Sequence, residues 1–287
     1  MTYKQIRVLK EKFGLFLLRA SIGIAILFLI WFLTVLFMKG GKMLSWTFLT
    51  QSPINGMTEG GIAPAIVGTL YLVLIALSVA IPFGILSAFF LVEYAKPKWL
   101  VSIIRTSINT LAGVPSIVFG LFGMAIFVYL FDFDVSLLSA GLTLGILILP
   151  VIINSTEEAL KTVPQSFREA SFALGASKMQ TVLKVVLPTA LPNILTGIII
   201  SIGRAAGETA PILFTGATLY TRGYPTSLFD ETMALPYQIY ALMAEGTSPA
   251  KQTPIVYGSA LVLLLLVVSV SLIGIILRTR IRKERKW

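Results

Sequence analysis

Apolar runs of similar length alternate with short polar connections along almost the whole of this chain. A helix needs about 20 predominantly apolar residues to cross the roughly 30 Å hydrocarbon core of a bilayer. Six runs approach or exceed that length and predict six transmembrane helices in one all-α domain. They lie near 19–38, 66–92, 106–130, 137–153, 193–214 and 254–277.

Composition places the chain among multi-pass membrane proteins. Hydrophobic residues make up 56% of the sequence, charged residues make up 13%, and the mean hydropathy is +0.89. Soluble domains carry about 25% charged residues. The first run follows basic residues, as the core of a signal peptide does. It is too long for such a core and no small-x-small cleavage site follows it, so we interpret it as a retained helix.

The distribution of lysine and arginine predicts the orientation, because cytoplasmic loops carry the excess of basic residues. With residues 1–18 and 278–287 placed in the cytoplasm, and with Arg19 at the edge of the first run counted there too, 18 basic residues fall on that side and Arg204 lies in the membrane. The opposite side receives Lys39, Lys42, Arg222 and Lys251. Both termini are therefore expected in the cytoplasm. Topology, rather than nucleic-acid binding, explains the net charge of +10.

Several kinds of chemistry are excluded by the residue types that the sequence lacks. It contains no cysteine and no histidine, which removes disulfides, thiol catalysis, histidine bases and most zinc sites. It has no glycine-rich phosphate loop with an adjoining lysine, and its carboxylates are scattered through loops. We therefore expect a chain that is no enzyme and has no metal or cofactor of its own.

Two opposite charges interrupt the fifth apolar run. Arg204 and Glu208 lie four positions apart, the spacing that places two side chains on one face of a helix. A charge at bilayer depth costs about 3 kcal/mol on insertion scales, and intramembrane charges commonly mark an ion pathway. We interpret the pair as lining a substrate path. The alternative is that the two charges only neutralise each other and stiffen the helix.

The longest predicted cytoplasmic segment contains the signals of two helices. Pro164 favours the start of a short helix that continues to about Leu174, and Gly175 favours its left-handed end. Ser177 is suited to cap a second helix, which Pro188 is expected to stop. The short helix is unusually apolar for a solvated loop. Either it docks in a groove of a partner protein, or it folds back onto its own bundle.

This segment, residues 154–192, resembles the EAA loop of ABC importer permeases. The matching residues are Glu169, Ala170, Gly175 and the pair Leu187 and Pro188. The family pattern has alanine where this chain has Ser171. The resemblance implies a type I ABC importer permease fold, in which the short helix is a coupling helix that docks on a separate ATPase subunit. That subunit would bind ATP and magnesium.

Two further segments narrow the resemblance. GRAAGETAPILFTG at 203–216 and NTLAGVPSIVFGLF at 109–122 are similar to phosphate-specific permeases, and the first is closest to the PstA type. The likeness covers most of the chain from Gly68 onward. It implies a multi-pass permease of a prokaryotic inner membrane with phosphate as its substrate. The implied partners are ATP-binding subunits, a homologous second permease subunit and an extracytoplasmic phosphate-binding protein.

The chemistry of the charged pair agrees with an anion path. A guanidinium offers several donors to phosphate oxygens and stays charged at any physiological pH. Because tight binding would trap the ion, we expect Glu208 to limit how strongly Arg204 holds it. One coupling loop and six spans predict half of a pore that works by alternating access. The alternatives are a permease for sulfate, molybdate or phosphonate, or an ion-coupled carrier, which would leave the apolar cytoplasmic helix unexplained.

Small residues and one proline provide further candidates. Gly203 and Gly207 form a small-x-x-x-small pattern that favours close helix packing over substrate contact. Pro115, two residues after Gly113, is expected to kink the third span. The kink either exposes backbone groups to a cavity or is compensated by neighbours. In the outer loop, LPYQIYALM at 235–243 predicts a short amphipathic helix, which either lies at the membrane interface or receives the binding protein.

Overall fold

The computed structural model describes residues 3–221 and 223–284. Three basic residues that entered the orientation argument, Arg222, Arg285 and Lys286, lie outside the described residues. The described chain is almost entirely helical, with one short hairpin formed by β1 (Pro53–Ile54) and β2 (Glu59–Gly60). The helices are α1 Tyr3–Gly40, α2 Trp46–Thr50, α3 Ala63–Phe89, α4 Lys98–Ala112, α5 Ser116–Gly123, α6 Leu137–Lys161, α7 Gln165–Ala173, α8 Lys178–Thr181, α9 Leu187–Gly207, α10 Ala210–Leu213, α11 Leu235–Ala244 and α12 Pro249–Glu284.

Short π turns extend several of these helices. They follow α3 at Phe90–Tyr94, α5 at Met124–Leu130 and α8 at Val182–Val186. Within the described residues, five helical stretches are long and apolar enough to cross a membrane. A sixth crossing is obtained if α4 and the extended α5 form one broken span. The chain is therefore a multi-pass membrane protein with five or six spans.

The third span is not the straight helix over 106–130 that the apolar run predicts. The chain turns by 100° between Lys98–Ala112 and Ser116–Leu130. Gly113 ends α4, and Pro115 immediately precedes α5. Proline has no N–H to donate to the preceding turn and its ring clashes with that turn. The single proline in this run therefore divides one apolar stretch into two helices.

Two other predicted helix ends are wrong. Pro188 does not stop the second cytoplasmic helix, because the helical stretch continues from Lys178 to Gly207. A π turn precedes Pro188, which then occupies the first turn of α9, where a missing N–H costs least. The fifth predicted span, 193–214, ends early at Gly207, and Glu208 is extended at φ −75° and ψ 130°.

The core of the bundle is formed by α3, α6, α9 and α12, and close contacts at glycines let the helices approach. A Cβ on Gly84 of α3 would clash with Ile152 of α6, and one on Gly141 of α6 would clash with Ile75 of α3. Gly197 of α9 lies directly against Ser155 of α6. Small residues at such crossings allow backbones to pack closely. The α3, α6 and α9 helices therefore form a tight central unit.

Buried side chains form clusters at three levels of the bundle. The central cluster includes Leu72 and Ala76 of α3, Leu144 and Ile148 of α6, and Ala206 of α9. A second cluster joins the ends of α3 and α6 to the start of α9 near the predicted coupling loop. A third lies beneath the loops at the opposite end and includes residues of α2, α11 and α12. The bundle is therefore packed along its whole length.

The loops at the end opposite the coupling loop are held by specific hydrogen bonds. Leu235 donates its N–H to Thr69 of α3 at 2.9 Å, and Gln252 of α12 donates to the carbonyl of Gly56 at 3.1 Å. The Asp230 carboxylate accepts from the backbone N–H groups of Ser227 and Thr226, which lowers its pKa from the usual value. The helix predicted at 235–243 is present as α11, and one side of it is buried against the bundle.

Candidate functional site

The intramembrane charges lie where α9 ends. Arg204 occupies the last turn of the helix, and Glu208 is the extended residue that follows Gly207. The Arg204 Nε lies 3.4 Å from the Glu208 Oε1. The pair is therefore made across a helix terminus, not along one face of a continuous helix as the spacing suggested. A cation is favoured there because the carbonyl end of a helix carries partial negative charge.

The contact between these two charges is loose and open. It uses a single nitrogen of the guanidinium at the long end of hydrogen-bond distances. The side chains keep 34% and 18% of their surface exposed, respectively. Among the described residues, no other carboxylate lies within 4.0 Å of Arg204. The guanidinium therefore retains donors that a ligand can reach.

The pair lies at the level of the central cluster of the bundle. Ala205 and Ala206, which follow Arg204, belong to the central cluster together with Leu144 and Leu147 from the middle of α6. On the open side, a Cβ built on Gly207 would meet no described atom within 4 Å. The charges thus combine buried packing on one side of the helix with free space on the other.

The two helices that follow backbone breaks, α5 and α10, contact each other beside these charges. The first break is the turn at Gly113 and Pro115, and the second follows Gly207. A Cβ on Gly120 of α5 would lie 2.9 Å from the carbonyl oxygen of Ala210, which follows the second break. Irregular backbone at membrane depth is tolerated where it is buried in protein or lines a cavity. In transporters such breaks commonly form the substrate site.

Among the residues that the structure describes, the predicted close packing at Gly203 and Gly207 is not made. A Cβ on Gly203 would make an ordinary 3.7 Å contact with Val267, and Gly207 faces open space. Gly84 and Gly197 do permit close approach. Each also lies four positions from another small residue, Ala88 and Ser201 respectively, so the spacing alone does not tell which glycines pack closely. Their requirement comes from the partner helix, which only the tertiary structure reveals.

A polar seam joins α4 to α6 on the side of the coupling loop. Asn154 donates to the Asn109 side chain at 3.0 Å. One turn along α6, the buried Glu157 carboxylate contacts Arg105 at 2.7 Å and Lys161 at 2.6 Å. Asn109 is therefore engaged in helix packing, and no motif in the sequence points to Asn154 as its partner on α6.

The predicted coupling loop has the helix boundaries that its end signals favour. The α7 helix spans Gln165–Ala173, and Gly175 has a left-handed φ of +81°. The Ser177 hydroxyl accepts from the Gln180 N–H, and the Gln180 side chain accepts from the Ser177 N–H. Serine followed three residues later by glutamine is a capping box. These local interactions fix the turn between α7 and α8.

The apolar residues of this loop divide between the bundle and the surface. Phe167 packs against the cluster at the base of the bundle. By contrast, Leu174 is 90% exposed, and Phe172, Met179 and Leu183 are also exposed. Glu169 and Ala170 face outward as well. We call Phe172, Leu174, Met179 and Leu183 the apolar coupling surface. One side of the loop thus packs inward, as the fold-back alternative expects, while the other side lies open, and docking on a partner stays a prediction.

Comparisons with known proteins agree with this architecture. The family model described as "Binding-protein-dependent transport system inner membrane component" matches residues 80–284. The phosphate transport system permease protein PstA of Mycobacterium leprae is 36% identical over 88% of this chain and 84% of that protein. A probable phosphate transport system permease protein PstA of Methanocaldococcus jannaschii is 33% identical over 93% of each chain.

Solved structures share the fold at low sequence identity. A bacterial ABC transporter involved in alginate import matches with a TM-score of 0.62 and 16% identity over 96% of this chain and 99% of the other. The MetNI methionine ABC transporter matches with a TM-score of 0.58 and 19% identity over 77% of this chain and 94% of the other. The chain therefore belongs to the binding-protein-dependent transport system inner membrane components, and within that family to the PstA-type permeases of ABC importers.

Proposed function

We propose that this chain is a channel-forming subunit of an ATP-driven phosphate importer. The observation that carries the proposal is the placement of Arg204, which keeps free donors at the point where two broken helices meet inside the bundle. Curated relatives over most of the chain are phosphate transport system permeases. The orientation that fits has both termini and the coupling loop in the cytoplasm.

Arg204 is suited to bind an oxyanion weakly enough for the ion to leave again. A guanidinium presents a planar fork of donors that matches phosphate oxygens. Glu208 competes for the same cation at 3.4 Å. When phosphate binds, it replaces part of an existing ion pair, so the net gain in free energy is smaller than for an unpaired arginine. We propose that this competition limits residence time in the path.

The proposed mechanism is alternating access driven by a partner ATPase. The partner subunits bind ATP and magnesium, and their closure moves α7 through the apolar coupling surface. Movement of the α3, α6 and α9 unit then changes the access of the Arg204 region from the outer to the inner side of the membrane. A homologous second permease subunit completes the pore, and an extracytoplasmic phosphate-binding protein delivers the ion to the outer loops. The family description, which names binding-protein dependence, supports such an assembly.

Uptake of radiolabelled phosphate tests the substrate. Cells lacking this chain and any redundant phosphate importer are compared with the same cells after the chain is restored, at micromolar phosphate and with excess sulfate or molybdate. We expect loss and rescue of energy-dependent uptake that the competitors do not suppress. Unchanged phosphate uptake, or suppression by sulfate or molybdate, would transfer the assignment to another oxyanion.

Co-purification tests the partner and separates a permease from an ion-coupled carrier. Leu174→Asp places a charge in the most exposed part of the apolar coupling surface and is expected to abolish capture of an ATPase subunit. Met243→Asp is the matched control, since Met243 is an exposed apolar residue of α11 at the opposite end. Equal ATPase capture by both variants would contradict docking through this surface.

A further inference from the structure

One arginine of the coupling loop makes an unusually large number of contacts. Arg168 of α7 reaches the Glu93 carboxylate through Nε at 3.2 Å and through a terminal nitrogen at 3.0 Å. The same guanidinium donates to the carbonyl oxygens of Val163 at 2.8 Å and Leu160 at 3.1 Å. Only 12% of the Arg168 side chain and 10% of the Glu93 side chain remain exposed. Four hydrogen bonds therefore hold one nearly buried cation.

These contacts join three elements that are separate in the chain. Arg168 belongs to α7, Glu93 lies in the π turn that ends α3, and Leu160 lies at the end of α6. From the other side of the turn, Lys178 donates to the Glu93 carbonyl and stacks 4.6 Å from the Tyr94 ring. Residues of α7 and α8 thus both contact the π turn that follows α3.

The two helices that Arg168 contacts continue to the centre of the bundle. Gly84 of α3 packs on Ile152 of α6, and Gly141 of α6 packs on Ile75 of α3. These tight contacts couple the two helices over several turns, because close-packed interiors transmit displacement rather than absorb it. Both helices then contribute to the cluster that holds Ala205 and Ala206, next to Arg204.

We infer that Arg168 is a positioning residue that couples movement of α7 to the paired helices α3 and α6. The inference rests on the proposed function, since it needs an ATPase that moves α7. Arg168 does not touch the substrate path and acts through Glu93 and the carbonyl of Leu160 at the end of α6. An exposed ion pair separates easily when one of its helices moves. A buried guanidinium with four hydrogen bonds instead makes α7, α3 and α6 move together.

The first test measures phosphate transported per ATP hydrolysed by the transporter complex purified through this chain and reconstituted with its binding protein. Arg168→Gln is expected to lower this ratio about tenfold or more, within the range of typical coupling energies. Arg168→Lys keeps the charge but not the planar fork, so an intermediate ratio is expected. A purely structural defect would lower transport and hydrolysis together and leave the ratio unchanged.

Arg105→Lys is the matched control. Arg105 also pairs with a carboxylate buried in α6, at 2.7 Å, but it lies on α4, and its ion pair does not involve α7. Its loss of fork geometry is expected to leave the transport-to-hydrolysis ratio unchanged. An equal fall in the ratio for Arg105→Lys and Arg168→Lys would overturn the assignment of coupling to Arg168.

A second test does not depend on the substrate. The sequence contains no cysteine, so the substitutions Ser166→Cys and Lys96→Cys allow selective spin labelling of α7 and of the chain just beyond α3. The distance between the labels is measured in the complex without nucleotide and with ATP and vanadate. We expect no change with otherwise native sequence, a change with Arg168→Gln, and a smaller change with Arg168→Lys.

The two tests separate the inference from the proposed function. A label distance that responds identically in the native and Arg168→Gln backgrounds would overturn the inference even if phosphate is transported. A complex that carries another oxyanion would overturn the substrate assignment, while the label distances would still report whether Arg168 holds α7 to α3.

Discussion

Two of the arginine–glutamate pairs among the described residues have geometries that differ in every respect that matters for their roles. Arg168 and Glu93 join distant parts of the chain, lie nearly buried, and share the guanidinium with two backbone carbonyls. Arg204 and Glu208 are four residues apart, are more exposed, and meet through one nitrogen at 3.4 Å. The same two residue types thus form a nearly buried structural ion pair at one end of the bundle and a partly exposed, open pair elsewhere in it.

The difference shows what an intramembrane charge requires in order to serve a passing ion. A guanidinium whose donors are all used has nothing left to offer a ligand. Removing one partner of a buried pair leaves an uncompensated charge, whereas an open pair can exchange its partner at lower cost. Donor occupancy, rather than the presence of a carboxylate, therefore distinguishes a structural ion pair from a ligand-binding one.

Neutralising the open arginine is expected to have the largest effect on transport. Arg204→Gln removes a charge-assisted contact worth about 2–3 kcal/mol, which corresponds to a fall in phosphate uptake of about 30-fold or more. Assembly should persist, because Ala205 and Ala206 supply the local packing. Uptake of radiolabelled phosphate and co-purification measure the two properties. Arg280→Gln, at an exposed position of α12, is the control, and near-normal uptake with Arg204→Gln would refute the assignment.

Neutralising the glutamate of each pair in turn tests how much each pair contributes to the stability of the protein. Glu93→Gln leaves Arg168 buried without its counter-charge and is expected to destabilise the protein by about 3 kcal/mol. Glu208→Gln is expected to change stability by less than about 1 kcal/mol, since the pair is partly exposed. Thermal unfolding of the purified protein in detergent measures both. Equal losses of stability would show that the two pairs do not differ as their geometries indicate.

Two glycines of α9 sharpen the comparison between packed and open positions on one helix. Gly197→Ala forces a Cβ into Ser155, and overpacking of this kind costs about 1–3 kcal/mol. Gly207→Ala meets no described atom within 4 Å and should leave stability nearly unchanged. Thermal unfolding of the two variants provides the measurement. Destabilisation by Gly207→Ala as large as that by Gly197→Ala would contradict the open space beside the charges.

The smallest expected effect is kinetic. Glu208→Gln removes the competitor for Arg204, so phosphate should bind a few-fold more tightly and leave more slowly. The expected result is a lower half-saturating phosphate concentration together with a lower maximal rate of uptake. Glu245→Gln, which removes a carboxylate just after α11, is the control. Weaker phosphate binding in Glu208→Gln would mean that the Glu208 carboxylate does not limit the affinity of Arg204 for phosphate.

Local signals in the sequence predicted local structure well. The helix before Gly175, the left-handed turn and the Ser177 cap depend on residues within a few positions of one another, and the structure contains all three. The membrane class and most of the apolar spans also follow from composition and run length. The resemblance at Glu169 and Gly175 led to the family to which the chain belongs.

Features that depend on the third dimension could not be obtained in this way. The sequence placed Arg204 and Glu208 together but not at a helix end, because nothing in the apolar run marks a break after Gly207. Pro188 reads as a helix stop unless the preceding π turn is known. Arg168 was one basic residue of a cytoplasmic loop until Glu93, 75 positions earlier, was placed beside it.

The unbroken helical stretch from Lys178 to Gly207 has a further consequence. Its 30 residues give a rod about 45 Å long, at 1.5 Å per residue. A tilt of about 5° about the coupling-loop end would displace the far end by about 4 Å, by the geometry of a helix of that length. That displacement exceeds the length of a hydrogen bond between a guanidinium and an anion, about 3 Å. A small rotation of this helical stretch at its cytoplasmic end therefore moves Arg204 far enough to change the contacts of an ion bound there.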